Sequence, residues 1–234
     1  EARGRHDYSR ALSILEDAER QAREAAHSKL ELRLTELKNR IWVGERLGLD
    51  TTPAMELFGE ARLGLDQGQF PEAAHHIEQG NEALARLLRE RIDSRLGEVA
   101  TELGFARDGL RVSLGNLEER LAKVPKLIDR NEIAEAGRLL IGIEEELAQR
   151  KSQHRELMNL HYLIDAALGR AADQALDTSE AERLLSESLR GRSTDYADAI
   201  AKAHASLKLL EGLLRAAEPP TSFWPFRRPP PGAQ

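Results

Sequence analysis

A short phrase that recurs at a nearly constant interval is the strongest constraint on the fold of this chain. The phrase is built around one large apolar residue, which stands at four positions: Tyr8, Phe70, Ile133 and Tyr196. The successive intervals are 62, 63 and 63 residues, and an alanine lies three residues after each apolar residue. A period this regular predicts a tandem repeat in which each unit packs on its neighbours.

Each repeat is predicted to be a long helix followed by a short one. Apolar residues recur at spacings of three and four through each long segment, which is the pattern of one buried helix face. Charged residues make up 32% of the chain and aromatic residues only 4%, which favours long helices with narrow apolar stripes. We therefore predict an all-α fold, in which tandem repeats form an elongated array of fused three-helix bundles.

The repeat divides the chain into a helical region and a tail. The helical region covers residues 1–217, with units at 8–69, 70–132, 133–195 and a partial unit at 196–217. Residues 218–234 hold six of the nine prolines of the chain. Because prolines at this density cannot continue a helix, we expect an extended or disordered tail.

Local signals predict where the helices begin and break. We expect side-chain caps at four helix starts: Asp7, Thr52, Ser179 and Asp195. Ser179 is followed three residues later by Glu182, which is the spacing of a capping box. Pro125 lies inside the second short element and should kink or split it.

Two known architectures resemble this pattern. Long helices shared between successive three-helix bundles resemble the spectrin-type rod, although spectrin units are longer. The Gly-x-Phe-x-x-Ala phrase from Gly68 to Ala73 is similar to the inter-helix turn of tetratricopeptide repeats. The period of 62 to 63 residues departs from the roughly 34 residues of that family, so its peptide-binding groove is not carried over. The resemblance implies a helical repeat architecture.

The charge balance and the absence of cysteine exclude several function classes. The chain carries 34 basic and 40 acidic residues, for a net charge of −6, and the two signs are interleaved. Nucleic-acid binding needs a concentrated basic surface, so we do not expect it. The lack of cysteine removes thiolate chemistry and cysteine-ligated zinc. With no stretch of 18 apolar residues and no apparent signal segment, the default expectation is a cytoplasmic protein.

Two histidines lie on or beside the apolar stripe of the third long helix. His154 and His161 are seven residues apart, which is two helical turns. One interpretation is a pH-sensitive seam, since protonation near pH 6.5 would charge a packed position. The alternative is a pair of boundary histidines, each with one edge in water.

No constellation in the sequence points to catalysis, so we expect a protein that is not an enzyme and has no cofactor. Glu72 precedes His75 at the spacing that di-iron bundles use, but the second such pair that they need is missing. The acidic run 144–146 is interpreted as a solvated helix face.

The tail contains the most distinctive local segment of the chain. Its candidate interaction residues are three aromatics and two arginines: Phe223, Trp224, Phe226, Arg227 and Arg228. Aromatic anchors beside a polyproline run suit a short linear motif for a protein groove. The segment also fits contact with a membrane interface, a linker, or aromatics that fold back on the last bundle.

The function predicted from these patterns is that of a non-catalytic structural spacer or scaffold. It would present helical faces and the tail to protein partners or to a second copy of itself. One alternative is an adaptor that binds peptides or proteins on a concave face of the repeats. A further alternative is a metalloenzyme built in a compact helical bundle.

Overall fold

The computed structural model describes residues 2–192 and 195–217, with the backbone alone at residues 2–7 and 9. The described residues form eight helical segments and no strand, so the all-α prediction is confirmed. The segments are α1 (Ala2–Arg46), α2 (Thr52–Asp66), α3 (Phe70–Asp108), α4 (Leu117–Leu121), α5 (Val124–Asp129), α6 (Ile133–Asp173), α7 (Ser179–Gly191) and α8 (Tyr196–Ala217). The predicted tail, residues 218–234, lies outside the described residues.

The order of the helices follows the predicted repeat of long and short elements. Helices α3, α6 and α8 begin at the recurring apolar residue, namely Phe70, Ile133 and Tyr196. The second short element is divided into α4 and α5, with Pro125 in the first turn of α5. Proline fits that position because its missing N–H would have no partner in a first helical turn. The predicted split at Pro125 is therefore confirmed.

Four helix ends share one backbone motif. In each, a residue with positive φ follows the helix, and two hydrogen bonds close the last turn: Gly48, Gly68, Asn131 and Ala175. At the first, the Gly48 N–H donates to the Glu45 carbonyl at 3.0 Å and the Leu49 N–H donates to the Gly44 carbonyl at 2.9 Å. This is the Schellman arrangement, which glycine adopts without strain and alanine does not.

The helix caps differ in detail from the predictions for α2 and α7. Thr52 is the first residue of α2, and its N–H donates to Asp50 Oδ1 at 3.0 Å. Likewise, the Ser179 N–H donates to Asp177 Oδ1 at 3.1 Å. Glu182 accepts from the Thr178 hydroxyl at 2.6 Å instead of forming the predicted box with Ser179. The predictions for Thr52 and Ser179 are wrong because both residues are already the first residue of their helix, and the N-cap positions are held by Thr51 and Thr178.

The predicted cap at Asp195 is present, whereas the one at Asp7 is wrong. Asp195 Oδ1 accepts from the N–H groups of Ala197 and Asp198, at 2.9 and 3.2 Å. The backbone of α1 runs from Ala2 straight through Asp7. Before Phe70 and Ile133 a residue with positive φ ends the preceding short helix, but no such residue interrupts α1.

The chain divides into two compact units. The first comprises the described residues up to Phe105 together with Asn116–Leu147, and the second comprises Ala106–Gly115 together with the described residues from Ala148. One core cluster of the first unit joins α1, α2 and α3 through Leu30, Leu34, Ala61, Leu65, Ala73 and Ile77. The core of the second unit joins α6, α7 and α8 through Leu157, Leu160, Ile164, Ala167, Ala171, Ala181, Tyr196, Ala199, Ala203, Leu210 and Leu214.

The acidic run of α6 is not a plain solvated face. Each carboxylate pairs with an arginine of a different helix of the first unit: Glu144 with Arg95, Glu145 with Arg46, and Glu146 with Arg120. The Glu144 carboxylate lies 2.9 Å from Arg95, and burial is the main cause that raises the pKa of Glu144. The prediction that this run is a solvated face is therefore wrong. The partner arginines come from three separate segments, so no local sequence pattern indicates these pairs.

Candidate functional site

The first half of α1 carries a bare apolar stripe. The side chains of Tyr8, Leu12 and Leu15 are 78%, 55% and 66% exposed. The alanines of the same predicted stripe are exposed as well: Ala11, Ala18, Ala22 and Ala25. The sequence predicts that this stripe is packed, and in the described part of the chain it is not. Because an apolar stripe on a helix normally faces a packed neighbour, this stripe is a candidate interaction surface.

The bare stripe is followed by a buried one after a shift around the helix. Farther along α1, Leu30, Leu34, Leu37 and Ile41 are buried in the first unit. At 100° per residue, Tyr8, Leu12 and Leu15 lie within about 70° of the mean direction of these core residues, whereas Ala18 and Ala25 lie roughly 130° to 150° from it. The large apolar residues of the first half therefore lie near the side that is covered in the second half.

The internal repeat shows what normally covers such a face. The repeat equivalents of Ala11 are Ala73, Ala136 and Ala199, and all three are fully buried. The equivalents of Leu15 are Ile77, Leu140 and Ala203, which are fully buried too. In the second unit, α7 lies against this face of α8, where the Ser206 hydroxyl donates to the Ala181 carbonyl at 2.7 Å. The stripe of α1 is the one copy of this surface, among the described residues, that has no such helix on it.

His154 lies beside a hydrogen-bonded junction at the start of α8. Its Nδ1 is 3.3 Å from the Tyr196 hydroxyl, and the two rings meet edge to face. That hydroxyl also accepts from the Ser113 N–H at 3.0 Å, and Arg150 donates to the Ser113 carbonyl at 2.9 Å. Within the second unit, these bonds join the loop that follows α3 to α6 and to the first residue of α8.

Whereas His154 is only half-buried, His161 is buried in the second unit. Its Nε2 is 2.9 Å from Ser188 Oγ, and the Ser188 hydroxyl donates to the Ala199 carbonyl at 2.8 Å. Since that hydroxyl has only one hydrogen, which it gives to the Ala199 carbonyl, the imidazole must be the donor, through Nε2. The chain of bonds links α6, α7 and α8.

Both histidines are held in the neutral form by their surroundings. Burial is the main cause that lowers the pKa of His154, and the positive charge of Arg192 lowers it further. The pKa of His161 is also lowered, first by burial and then by Arg192, while Asp165 acts in the opposite direction. His161 is buried and His154 is half-buried, whereas the pH-sensitive seam stays a prediction.

The polar groups of this junction suit structure better than chemistry. Ser188 is fully buried and its hydrogen is already donated to a carbonyl, so the hydroxyl is not free to attack a substrate. Farther away, His76 Nδ1 lies 3.2 Å from Glu60 Oε2. Within residues 2–192 and 195–217, no three histidine or acidic side chains are grouped so that they could hold a metal ion.

The predicted recognition residues of the tail cannot be placed in this site. Phe223, Trp224, Phe226, Arg227 and Arg228 lie outside the described residues. Among the helices that are described, none is both long enough and apolar enough to cross a membrane.

Sequence reasoning missed two buried hydroxyls for which a signal existed. Ser206 stands at the repeat position of Ile143. Ser188 corresponds to the buried Ala61 when α7 and α2 are aligned at the aspartates before them, Asp177 and Asp50. Aligning the repeats in this way would have predicted that both serines are core residues with bonded hydroxyls.

Comparison with protein-family models, with curated proteins and with solved structures gives no match.

Proposed function

We propose that this protein is a non-catalytic helical scaffold that binds a protein partner on the bare stripe of α1. The observation that carries the proposal is the difference in burial between Leu15 and its repeat equivalents Ile77 and Leu140. Covering an apolar surface stabilises the complex by roughly 25 cal/mol per Å² of apolar area that is removed from water. The partner is expected to be helical, because a helix covers the same face of α8.

The proposed mode of binding is the completion of a helical bundle. The partner would supply an amphipathic helix with small apolar residues, in the role that α7 has at the start of α8. The predicted likeness to spectrin-type rods and the predicted tail motif belong to the same scaffold proposal. The elongation expected for a spacer stays a prediction, and small-angle scattering tests it against the radius of gyration of roughly 18 Å of a compact chain this long.

The test is a site-specific photocrosslinker at Glu19, an exposed position one helical turn after Leu15 on the same side of the helix, in cells that naturally express the protein. The same experiment is repeated in a variant with Leu12→Glu and Leu15→Glu. We expect one dominant adduct in the unmodified chain and its loss in the double variant, because two charges on the stripe cannot be buried without partners.

The matched control is Leu63→Glu, which changes another exposed leucine, on α2. This variant should keep the adduct. If the adduct survives the double variant, or if no adduct forms and the purified chain stays monomeric at all concentrations, the stripe does not bind a protein and the proposal fails.

A further inference from the structure

A second uncovered apolar surface lies on α8, within the second unit. It is a shallow concavity of about 610 Å³ lined by Ala205, Lys208, Leu209, Gly212 and Leu213. Leu209 is 42% exposed, and Gly212 has nothing within 4 Å of the position where a Cβ would stand. We call this surface the α8 patch.

The repeat does not require an apolar surface at this position. In α6 the positions equivalent to Leu209, Gly212 and Leu213 hold Glu146, Gln149 and Arg150. The α8 patch also points away from the core, since Ala203, Leu210 and Leu214 of the same helix are the buried ones. A glycine inside a helix costs about 1 kcal/mol relative to alanine, so Gly212 does not serve the stability of α8.

The segment best placed to cover the α8 patch is the chain's own C-terminus. Seventeen residues follow Ala217, and they include Phe223, Trp224 and Phe226. Leu209 lies about 12 Å back along the helix from Ala217, at 1.5 Å per residue. The seven residues from Ala217 to Trp224 can span up to about 23 Å when extended. The reach is therefore sufficient for the aromatics to return to the patch.

One further feature favours this occupant over a free partner. A tethered segment has an effective concentration near the millimolar range, so a small contact is enough to hold it. We propose that residues 223–226 dock on the α8 patch of the same molecule, with Trp224 against Leu209 and Gly212. This inference goes beyond the scaffold proposal and does not depend on it.

The test uses the fluorescence of Trp224 in the full chain. The protein has two tryptophans, and Trp42→Phe leaves Trp224 as the only one. In that background we expect emission at a shorter wavelength, and weaker quenching by acrylamide, than in the same chain unfolded in urea. Leu209→Asp should abolish the shift, because it places a charge where the ring docks.

The control variant is Leu163→Asp, which changes another exposed leucine of the second unit and should leave the shift in place. Circular dichroism checks that both variants keep their helices. Fully solvated emission in the Trp42→Phe chain would overturn the proposal. A blue shift that disappears on dilution would overturn it as well, because the tail would then be held by a second copy.

Discussion

The same phrase opens α8 and lies within the first turns of α1, but the two copies have different fates. Tyr196 is 7% exposed and its hydroxyl accepts from the Ser113 N–H, whereas Tyr8 is 78% exposed. Asp195 caps α8, while Asp7 lies inside a continuous helix. The phrase therefore does not by itself define a helix start or a buried site.

Among the described residues, α8 follows a short helix, α7, whereas α1 is the first helix. In α8 the face beyond Tyr196 is covered by α7, and an apolar core follows. In α1 the equivalent face is bare along the part from Tyr8 to Ala22. A repeated apolar pattern thus indicates which face of a helix can be buried. Whether that face is buried depends on the neighbouring helix.

The largest change in the free energy of unfolding is expected from truncating a leucine at one repeat position, with the equivalent leucine of α1 as its matched control. Leu140→Ala should cost about 3 kcal/mol in the free energy of unfolding, because it opens a cavity in a closed core. Leu15→Ala should change it by less than about 0.5 kcal/mol, because that side chain is already in water. Urea unfolding of both variants measures the difference. Equal losses would mean that Leu15 is covered in solution.

Acid should lower the stability of the packing around Tyr196, the covered copy of the phrase, and leave the region of Tyr8, the bare copy, unchanged. The pKa values of His154 and His161 are lowered in the folded chain, whereas an unfolded histidine titrates near about 6.5. As the pH falls through that value, the unfolded chain takes up protons first, so stability decreases until the folded pKa is passed. Thermal unfolding between pH 7.5 and pH 5 measures this loss.

The control for the pH response is His161→Gln. Glutamine can still donate to Ser188 Oγ but does not titrate, so the variant should lose less stability in acid than the unmodified chain. An identical pH dependence in both proteins would remove His161 from the explanation.

The two aspartates that precede the phrase should also differ. Asp195→Ala should destabilise the second unit by about 1 kcal/mol, since two N–H groups at the start of α8 lose their acceptor. Asp7→Ala should change stability by no more than a few tenths of that, because the helix has no start there. Paired thermal melts of the two variants decide it, and a comparable loss in Asp7→Ala would indicate a helix start that the structure lacks.

A smaller, stabilising effect is expected where the chain turns from α6 into α7. Ala175 has a φ of 51°, a conformation that costs alanine about 1 kcal/mol and glycine almost nothing. Ala175→Gly should therefore raise the midpoint of unfolding of the second unit. The opposite change is expected from Ala166→Gly, an exposed site inside α6, where glycine costs about 1 kcal/mol. A loss of stability in Ala175→Gly would contradict the backbone assignment.

Local and periodic features of the fold could be predicted from the sequence. The starts of α3, α6 and α8 follow from the repeat, and the split at Pro125 follows from the chemistry of proline. The bare face of α1 could not be predicted, because periodicity is the same whether the covering helix is present or absent. The arginine partners of Glu144–Glu146 come from distant segments, and no local signal brings them together.

The most direct test of this account is hydrogen exchange of residues 8–26 of α1 against residues 196–214 of α8 in a dilute sample of the purified chain. A helix without tertiary cover frays and opens locally, so its amides exchange fast. We predict that the segment of α1 exchanges far faster than that of α8 and gains protection when its partner is added. Equal, strong protection of both segments in a monomeric sample would contradict the claim that the face of α1 is open.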